Sequence, residues 1–203
     1  MRKIMKKKAI FVDRDGTLNR MVYDEDHGIM DSPRRAAQVE LMPGAGRFLK
    51  KARDLGYMIV VATNQPAVAK KTLSLKHLDE VNGRLAALLK KDGGRWDAFY
   101  CCPHHPGPVS GRPNRFVRKC RCRKPAPGLL LDAAKNLGID LSESWMIGDG
   151  LNDIQAGRNA GCRTILLTRL KLEQIERFLS LKGMEPDAIV EDLDSAFHSI
   201  ERA

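Results

Sequence analysis

The sequence feature that most constrains the fold is a short apolar run that ends on two carboxylates. Residues 9–12 read Ala-Ile-Phe-Val, a run short enough for one buried strand, and Asp13 and Asp15 follow it. Side chains two residues apart on an extended backbone point to the same side, and Gly16 then breaks the strand. Two carboxylates this close repel each other unless a cation lies between them, and Mg²⁺ prefers such oxygen ligands. The alternative interpretation is a strand followed by an Asp-Gly turn with two solvated acids.

The rest of the chain alternates between apolar runs of strand length and segments with helical spacing. The predicted strands are residues 8–13, 57–62, 96–100, 144–148, 163–168 and 188–190, and the predicted helices are residues 44–55, 74–91, 127–137, 151–160, 173–181 and 193–201. Residues 17–42 are predicted to form a long functional loop that can include a small hairpin. This alternation predicts an α/β fold with a doubly wound, mostly parallel Rossmann-like sheet. We expect a single domain over residues 1–203, with an irregular excursion at 101–123.

The composition is that of an ordinary globular chain with an excess of basic residues. The 203 residues carry a formal net charge of +10, so a nucleic-acid partner has to be weighed. The basic residues are dense only at 1–8 and 112–123, and a phosphate-bearing small substrate or a solvated surface accounts for them as well. No stretch approaches the length of a membrane span, and the basic start does not continue as a signal peptide. We therefore expect a cytoplasmic protein with no membrane partner.

Polar side chains follow three of the predicted strands. They are Asp13 and Asp15, Thr63 and Asn64, and Asp149 and Asp153. In an open parallel sheet the ligand site lies outside the carboxyl ends of the strands, so these groups are predicted to meet there. With Lys124 they provide the carboxylates, hydroxyl, amide and ammonium group that phosphoryl transfer uses. Because the chain has no Gly-x-x-x-x-Gly-Lys-Ser/Thr loop, transfer from a phosphoester to a protein carboxylate and then to water is favoured.

A second set of candidate ligands lies in the excursion. Cys102 and His104 form one pair, and Cys120 and Cys122 form the other. Three thiolates and one imidazole suit tetrahedral Zn²⁺ and leave no open position, which predicts a structural site. The alternative is a set of buried or incidental cysteines. A zinc ion here would fold the excursion and aim the two residues that follow it, Arg123 and Lys124.

These motifs together resemble a known family. The segments 13–17 and 63–64, Lys124, and the segment 148–153 resemble the four ordered motifs of the haloacid dehalogenase superfamily. Within it, three segments resemble the heptose 1,7-bisphosphate phosphatases and the related histidinol-phosphatases: 63–65, 102–106 and 120–125. The resemblance extends from about residue 8 to the last strand, and it implies a zinc-binding loop and no large cap domain.

The resemblance implies a role for each matching residue. Asp13 would be the nucleophile and form an aspartyl-phosphate, and Asp15 would act first as general acid and then as general base. Mg²⁺ would be held by the Asp13 carboxylate, the backbone carbonyl of Asp15, and Asp149. The substrate would contact Thr63, Asn64, Gln65, Arg123 and Lys124. Asp153 would orient Lys124 or a metal-bound water, or it would be a charge at a helix N-terminus.

The implied activity is Mg²⁺-dependent hydrolysis of a phosphomonoester by a monomer, with a heptose bisphosphate or similar sugar phosphate as substrate. Histidinol phosphate or another small phosphate is the alternative within the class. A zinc-stapled nucleic-acid-binding module without catalysis is the alternative from another class, although nucleic acid is not the expected partner. Three departures from the heptose enzymes surround the expected substrate site and leave the sugar open: the long segment 19–42, Gly150 after Asp149, and the sequence Ala-Val-Ala-Lys at 67–70.

Overall fold

The computed structural model describes residues 6–25, 28–109, 114–170, 173, 179 and 184–203. The strands in this part of the chain are β1 (Ala9–Val12), β2 (Val22–Asp24), β3 (Ile29–Asp31), β4 (Met58–Asn64), β5 (Ala98–Cys102), β6 (Trp145–Gly148), β7 (Arg163–Leu167) and β8 (Ala188–Val190). The helices are α1 (Ala45–Asp54), α2 (Leu75–Lys91), α3 (Gly128–Leu137), α4 (Leu151–Ala160) and α5 (Leu193–Glu201), and a short 3₁₀ helix covers Ala36–Gln38.

Six of these strands form one sheet in the order β5-β4-β1-β6-β7-β8. Each neighbouring pair runs parallel, and β1 lies between β4 and β6. The carboxyl ends of the strands therefore meet at one edge, where a doubly wound sheet binds its ligands. The predicted fold class is confirmed. In the described residues no cap domain is present, and β2 and β3 form a small antiparallel hairpin after β1.

The side chains of β1 alternate between two apolar layers, one on each face of the sheet. Ile10 and Val12 belong to the layer that contains α1, α2 and α5, whereas Ala9 and Phe11 face the layer that contains α3. All four side chains are fully buried. Burial of a large apolar side chain contributes about 1.5–3 kcal/mol to the stability of the fold. Strand β1 is therefore held in place on both faces, directly before the turn that carries Asp13 and Asp15.

The two strands beside the site differ slightly from their predicted bounds. β4 continues through Asn64 instead of ending at residue 62, because Thr63 and Asn64 keep pairing with β5. β5 begins at residue 98 instead of 96, because the Asp97 carboxylate accepts a hydrogen bond from the Ile59 amide at 2.8 Å. Thr63 and Asn64, predicted to follow this strand, thus form its end.

Three other predictions concern segments away from the sheet. The predicted loop at 17–42 contains the hairpin of β2 and β3 and the 3₁₀ helix. The predicted helix at 173–181 lies almost entirely outside the described residues. The single domain over residues 1–203 stays a prediction. Throughout the described ranges, no helix combines the length and the apolar character that crossing a membrane requires.

Candidate active site

A glycine turn brings the end of β1 against the end of β6. Gly16 has a φ of +80°, in the left-handed region that favours glycine. A Cβ atom at this position would lie 2.0 Å from Asp149 Oδ2, so any larger residue would displace that carboxylate. The Gly16 amide donates to the carbonyl of Asn19 at 2.8 Å and closes the turn. The carboxylates that follow the two strands therefore share one cleft.

Lys124 is a buried cation in this cleft. Its side chain is 2% exposed, and its Nζ lies 2.9 Å from Asp13 Oδ1 and also contacts the carboxylate of Asp153. The same ammonium group donates a hydrogen bond to the carbonyl of Ala62, at 2.7 Å. Burial opposes the charged form, but the carboxylates of Asp13 and Asp153 outweigh it and raise the pKa of Lys124 above its usual value. Lys124 is therefore protonated at neutral pH.

Asp153 combines two of the roles that the sequence left open. One oxygen contacts Lys124, and the other accepts a hydrogen bond from the Gly150 amide at 3.1 Å, at the start of α4. The side chain is buried against Gly148, where a Cβ atom would lie 2.3 Å from the Asp153 carboxyl carbon. Asp153 therefore both orients Lys124 and places its charge at a helix N-terminus, where the helix dipole favours it.

Three carboxylates converge beside Lys124. One oxygen each of Asp13, Asp149 and Asp153 lie within 4.8 Å of one another. Asp149 stays accessible to solvent, yet the protein around its carboxylate and the charges of Asp13 and Asp153 raise its pKa to about 7. Because one lysine leaves part of the negative charge uncompensated, this all-oxygen donor set fits a hard divalent cation such as Mg²⁺.

Asp15 makes contacts that are separate from those of Asp13. Its donors are Arg14 Nε and Nη2, Asn19 Nδ2, Ser32 Oγ and Gln65 Nε2, at distances from 2.7 to 3.1 Å. Burial opposes ionisation, but the Arg14 charge and these hydrogen bonds outweigh it and lower the pKa of Asp15. Asp15 is therefore an ionised carboxylate in this structure.

Three of these donors carry no role in the sequence patterns: Arg14, Asn19 and Ser32. Arg14 is fully buried and also donates to Asn82 Oδ1 in α2, at 2.8 Å. The position of Arg14 directly after an apolar strand could have indicated its role. A buried arginine needs an acidic partner, and Asp13 and Asp15 are its neighbours in sequence. Asn19 and Ser32 lie in the irregular segment after β1, where no periodicity marks a side chain as inward-facing.

Two of the predicted substrate residues lie beside Asp15 at the end of β4. Thr63 is 1% exposed and Gln65 is fully buried. The Gln65 amide group donates to both Asp15 Oδ2, at 2.7 Å, and Thr63 Oγ1, at 3.0 Å. Gln65 thus joins the strand end to the Asp15 network.

The other predicted substrate residues are tied to the excursion. Asn64 Nδ2 donates to the carbonyl of Lys124, and Asn64 Oδ1 accepts from the amide of Lys124, each at 3.0 Å. This pair of hydrogen bonds holds the backbone of Lys124 against β4. Arg123 is half-buried and donates from Nη1 to the carbonyl of His104, at 3.1 Å. The structure therefore gathers every predicted site residue of the catalytic set at the carboxyl edge of the sheet, or on the excursion beside it.

The Cys/His cluster forms a compact group of sulfur and nitrogen atoms. The three thiols of Cys102, Cys120 and Cys122 lie 3.3–3.6 Å from one another. His104 Nδ1 lies 3.5 Å from Cys102 Sγ and 3.3 Å from Cys122 Sγ. A tetrahedron built on Zn–S bonds of about 2.3 Å has edges of roughly 3.8 Å, so these four atoms need little movement to bind zinc.

The chemistry of the four side chains also fits a zinc ion. Burial and the Arg118 charge lower the pKa of His104, so its ring is neutral, the form that binds a metal. Burial raises the pKa of the Cys102 and Cys122 thiols, so zinc has to displace their protons on binding. Cys162, which lies outside the cluster, is 7% exposed. The cluster is therefore a candidate structural metal centre, and it lies directly before Arg123 and Lys124.

A comparison with family models matches residues 121–196 to the HAD-hydrolase-like family. A D-glycero-beta-D-manno-heptose-1,7-bisphosphate 7-phosphatase of Haemophilus ducreyi is 37% identical over 166 residues, 81% of this chain and 85% of that protein. A D-glycero-D-manno-heptose-1,7-bisphosphate 7-phosphatase of Thermosynechococcus vestitus is 34% identical over 193 residues, 95% of this chain and 94% of that protein. These relatives match the chain over most of its length.

Among solved structures, a D,D-heptose 1,7-bisphosphate phosphatase from B. bronchiseptica, complexed with magnesium and phosphate, superposes with a TM-score of 0.73. The match covers 96% of this chain and 98% of that chain, at 29% sequence identity. The overall fold of this chain is thus shared with a phosphatase of known structure.

Proposed function

Because this chain belongs to the haloacid dehalogenase-like hydrolases and is a phosphatase, we propose that it removes a phosphate from D-glycero-D-manno-heptose 1,7-bisphosphate, with Mg²⁺ and through an aspartyl-phosphate. The observation that carries the proposal is the contact between Asp13 and the buried cation Lys124 at the carboxyl edge of the sheet, beside Asp149. A carboxylate beside a fixed cation is a poised nucleophile for a phosphate group. The names of the relatives support the choice of substrate.

In the first half-reaction, a carboxylate oxygen of Asp13 attacks phosphorus. The bond between phosphorus and the sugar oxygen breaks, and Asp15 gives that oxygen a proton. The ammonium group of Lys124 and the hydroxyl group of Thr63 stabilise the transferring phosphoryl group. Since these donors are held by the protein before the reaction, little reorganisation is needed.

In the second half-reaction, a water attacks the phosphorus of the aspartyl-phosphate, and Asp15 takes the proton of that water. Inorganic phosphate leaves and the Asp13 carboxylate is restored. The ionised Asp15 of this structure is already in the form that this step needs. Before the first step Asp15 has to gain a proton, which requires that substrate binding loosen its contacts with Arg14 and Gln65.

Two metals would complete the protein. Mg²⁺ would be held by Asp13, Asp149 and the backbone carbonyl of Asp15, and when bound it would neutralise charge on the phosphate. Zn²⁺ would be held by the Cys/His cluster and would stabilise the excursion. Asn64 then fixes the backbone of Lys124 from the other side, so the excursion and β4 together set the position of the Lys124 ammonium group.

Arg123 is the residue that we assign to the second phosphate of the substrate. It is half-buried, lies next to Lys124 in sequence, and its guanidinium group is oriented by the His104 carbonyl. A guanidinium group binds phosphate through two parallel hydrogen bonds. A substrate that carries two phosphates would therefore use Lys124 at the reacting phosphate and Arg123 at the other.

The proposal is tested by kcat/KM for both anomers of heptose 1,7-bisphosphate, histidinol phosphate and p-nitrophenyl phosphate, with Mg²⁺. We expect one heptose anomer to exceed histidinol phosphate and p-nitrophenyl phosphate by at least about 100-fold, because a site built for two phosphates rejects ligands that lack one. Phosphorus NMR should show that the sugar product keeps its anomeric phosphate. Preference for histidinol phosphate, or release of the anomeric phosphate, would contradict the proposed substrate.

Arg123→Ala tests the second phosphate, with Arg121→Ala as its matched control. Arg121 is two residues away and exposed, and it pairs with Asp132. Arg123→Ala should raise KM for the bisphosphate about tenfold or more, the effect expected for loss of a charged hydrogen bond, and leave KM for p-nitrophenyl phosphate unchanged. Arg121→Ala should change neither value. Equal effects of Arg123→Ala on both substrates would contradict the assignment.

A further inference from the structure

A concave basic surface lies at the opposite edge of the sheet from the catalytic cleft. It is an open cavity of about 410 Å³ between α1, the end of α2 and the segment that leads into β5. Its charged and aromatic lining residues are Lys50, Arg53, Asp54, Lys90, Arg95 and Trp96. Arg53 pairs with Asp97, whose carboxylate accepts from the Ile59 amide near the beginning of β4. The cavity therefore lies beside the amino ends of β4 and β5, whereas the catalytic residues follow the carboxyl ends.

The charges around this cavity do not cancel. Lys50 Nζ lies 2.7 Å from Asp54 Oδ2, and Arg53 contacts Asp97. Within the described ranges, Lys90 and Arg95 form no ion pair. Two exposed cations without acidic partners thus face the same concave space, whose lining holds four cations and one carboxylate. A cleft with an excess of one sign of charge concentrates ions of the opposite sign.

A comparison of Lys90 with its neighbour Lys91 distinguishes a role in the cavity from an ordinary charge at a helix end. Lys90 and Lys91 both lie in the last turn of α2, where cations stabilise the helix dipole. Only Lys90 lines the cavity. The dipole explains why both lysines are tolerated at the helix end, but it does not explain why Arg95 and Lys90 face the same cavity.

Trp96 adds an aromatic wall to the cationic one. Its indole is half-buried and packs at 5.8 Å, tilted, against the ring of Phe99. Cavities of roughly 300–1,000 Å³ hold small organic ligands, and an aromatic face beside cations suits a molecule with a flat ring and several negative charges. We propose that this cavity binds a small organic polyphosphate, a nucleoside di- or triphosphate, at a site separate from the catalytic cleft.

Trp96 supplies the readout for the test. The chain has two tryptophans, and Trp145 is 3% exposed, so quenching by a ligand in the cavity reports on Trp96. The zinc- and magnesium-loaded enzyme is titrated with ATP, inorganic triphosphate and adenosine. ATP should quench the fluorescence saturably and bind at least about tenfold more tightly than triphosphate, which offers no ring to the indole, or adenosine, which carries no phosphate charge. Trp96→Phe should remove the signal.

Charge reversals with a matched control decide whether the cavity is responsible. Lys90→Glu and Arg95→Glu should each weaken ATP binding by about tenfold or more, whereas Lys91→Glu, with the same change in net charge, should weaken it by less than about twofold. Turnover of p-nitrophenyl phosphate should be the same in all three variants and shows that they are folded. Equal weakening by Lys91→Glu, triphosphate binding as tight as ATP, or no saturable quenching would overturn the proposal.

Discussion

Two clusters of metal-ligating side chains lie close together in this molecule, and they are built in different ways. The carboxylate cluster of Asp13, Asp149 and Asp153 offers oxygen atoms within 4.8 Å of one another and includes a solvent-accessible member, Asp149. The thiol cluster offers three sulfur atoms and one ring nitrogen at 3.3–3.6 Å. The first is open and charged, whereas the second is closed and has no place for a substrate.

The difference indicates which cluster does chemistry and which holds structure. Open carboxylates suit a hard ion that exchanges and shares its ligands with substrate phosphate. A closed set of thiolates and imidazole suits zinc that contributes folding energy. The two are joined by the sequence Cys122-Arg123-Lys124, and we propose that the closed cluster positions the cation of the open one.

The largest effect is expected at Asp13. Asp13→Asn keeps the shape of the side chain but removes the attacking oxygen charge, so kcat should fall by about 10⁴-fold or more. Far-ultraviolet circular dichroism should stay unchanged, because the core of β1 is untouched. The matched control is Asp54→Asn on α1, where an exposed carboxylate pairs with Lys50; it should keep full activity. Substantial turnover by Asp13→Asn would mean that another group attacks.

Loss of a thiol should act through the excursion instead of through the chemistry. Cys120→Ser should lower the zinc content, make the excursion before Lys124 sensitive to protease, and reduce kcat by roughly 10–100-fold. Added Mg²⁺ should not restore activity, because the Lys124 ammonium group has lost its position. The parallel sheet should survive, since β1, β4, β6 and β7 bury apolar side chains of their own.

Two controls separate this result from a general loss of metal. Cys162→Ser replaces a buried thiol outside the cluster and should keep the zinc content of the parent protein. Brief EDTA treatment of the parent protein should abolish activity, and added Mg²⁺ should restore it fully. Full activity of zinc-free Cys120→Ser would refute the structural role that we give to the cluster.

Binding of Mg²⁺ by the carboxylate cluster should depend on pH near neutrality. Its neighbours raise the pKa of Asp149 to about 7, so below that pH a proton occupies this ligand in the metal-free protein. Mg²⁺ then has to displace the proton, and its apparent Kd should rise by up to about tenfold per pH unit as the pH falls below 7. Above about pH 8 the Kd should be flat. Activity titrations with Mg²⁺ at each pH measure this Kd. A Kd that does not change below pH 7 would contradict the binding of Mg²⁺ by Asp149.

The smallest effect is expected at Ser32, which donates one of several hydrogen bonds to Asp15. Ser32→Ala should lower kcat by only about five- to tenfold, within the net value of about 0.5–1.5 kcal/mol for one intramolecular hydrogen bond. The loss should be larger for an alkyl phosphate than for p-nitrophenyl phosphate, because a poor leaving group depends more on the general acid. Ser32→Thr keeps the hydroxyl and should restore kcat. Equal losses of kcat on both substrates would contradict a role of Ser32 in supporting Asp15 as the general acid.

The sheet could be predicted from the sequence because its strands are short apolar runs that alternate with segments of helical spacing. The site residues could be placed at one edge because parallel strands share their carboxyl ends. The direction of Asp15 could not be predicted in this way. β1 ends at Val12, so Asp13 and Asp15 lie in a turn where the alternation of an extended strand no longer holds. Asp13 contacts Lys124, and Asp15 turns instead to Arg14 and Gln65.

The donors from distant segments could not be predicted either. Ser32 comes from the irregular stretch after β3, and Asn82 comes from a helix whose apolar spacing says nothing about a polar contact with Arg14. Such contacts depend on how the segments pack, which no local pattern encodes. The Cys/His cluster was easier to predict, since the types of its side chains and their close spacing in the sequence are typical of a zinc site.

The account is tested most directly at the carboxylate of Asp13 during turnover. An aspartyl-phosphate is an acyl phosphate, which borohydride reduces to an alcohol, whereas a free carboxylate is not reduced. Enzyme quenched with borohydride while it hydrolyses heptose 1,7-bisphosphate with Mg²⁺ should carry homoserine at position 13, as read by mass spectrometry of the peptide that contains β1. Without substrate the peptide should be unmodified. Rapid hydrolysis with an intact Asp13, or with another carboxylate reduced, would contradict the account.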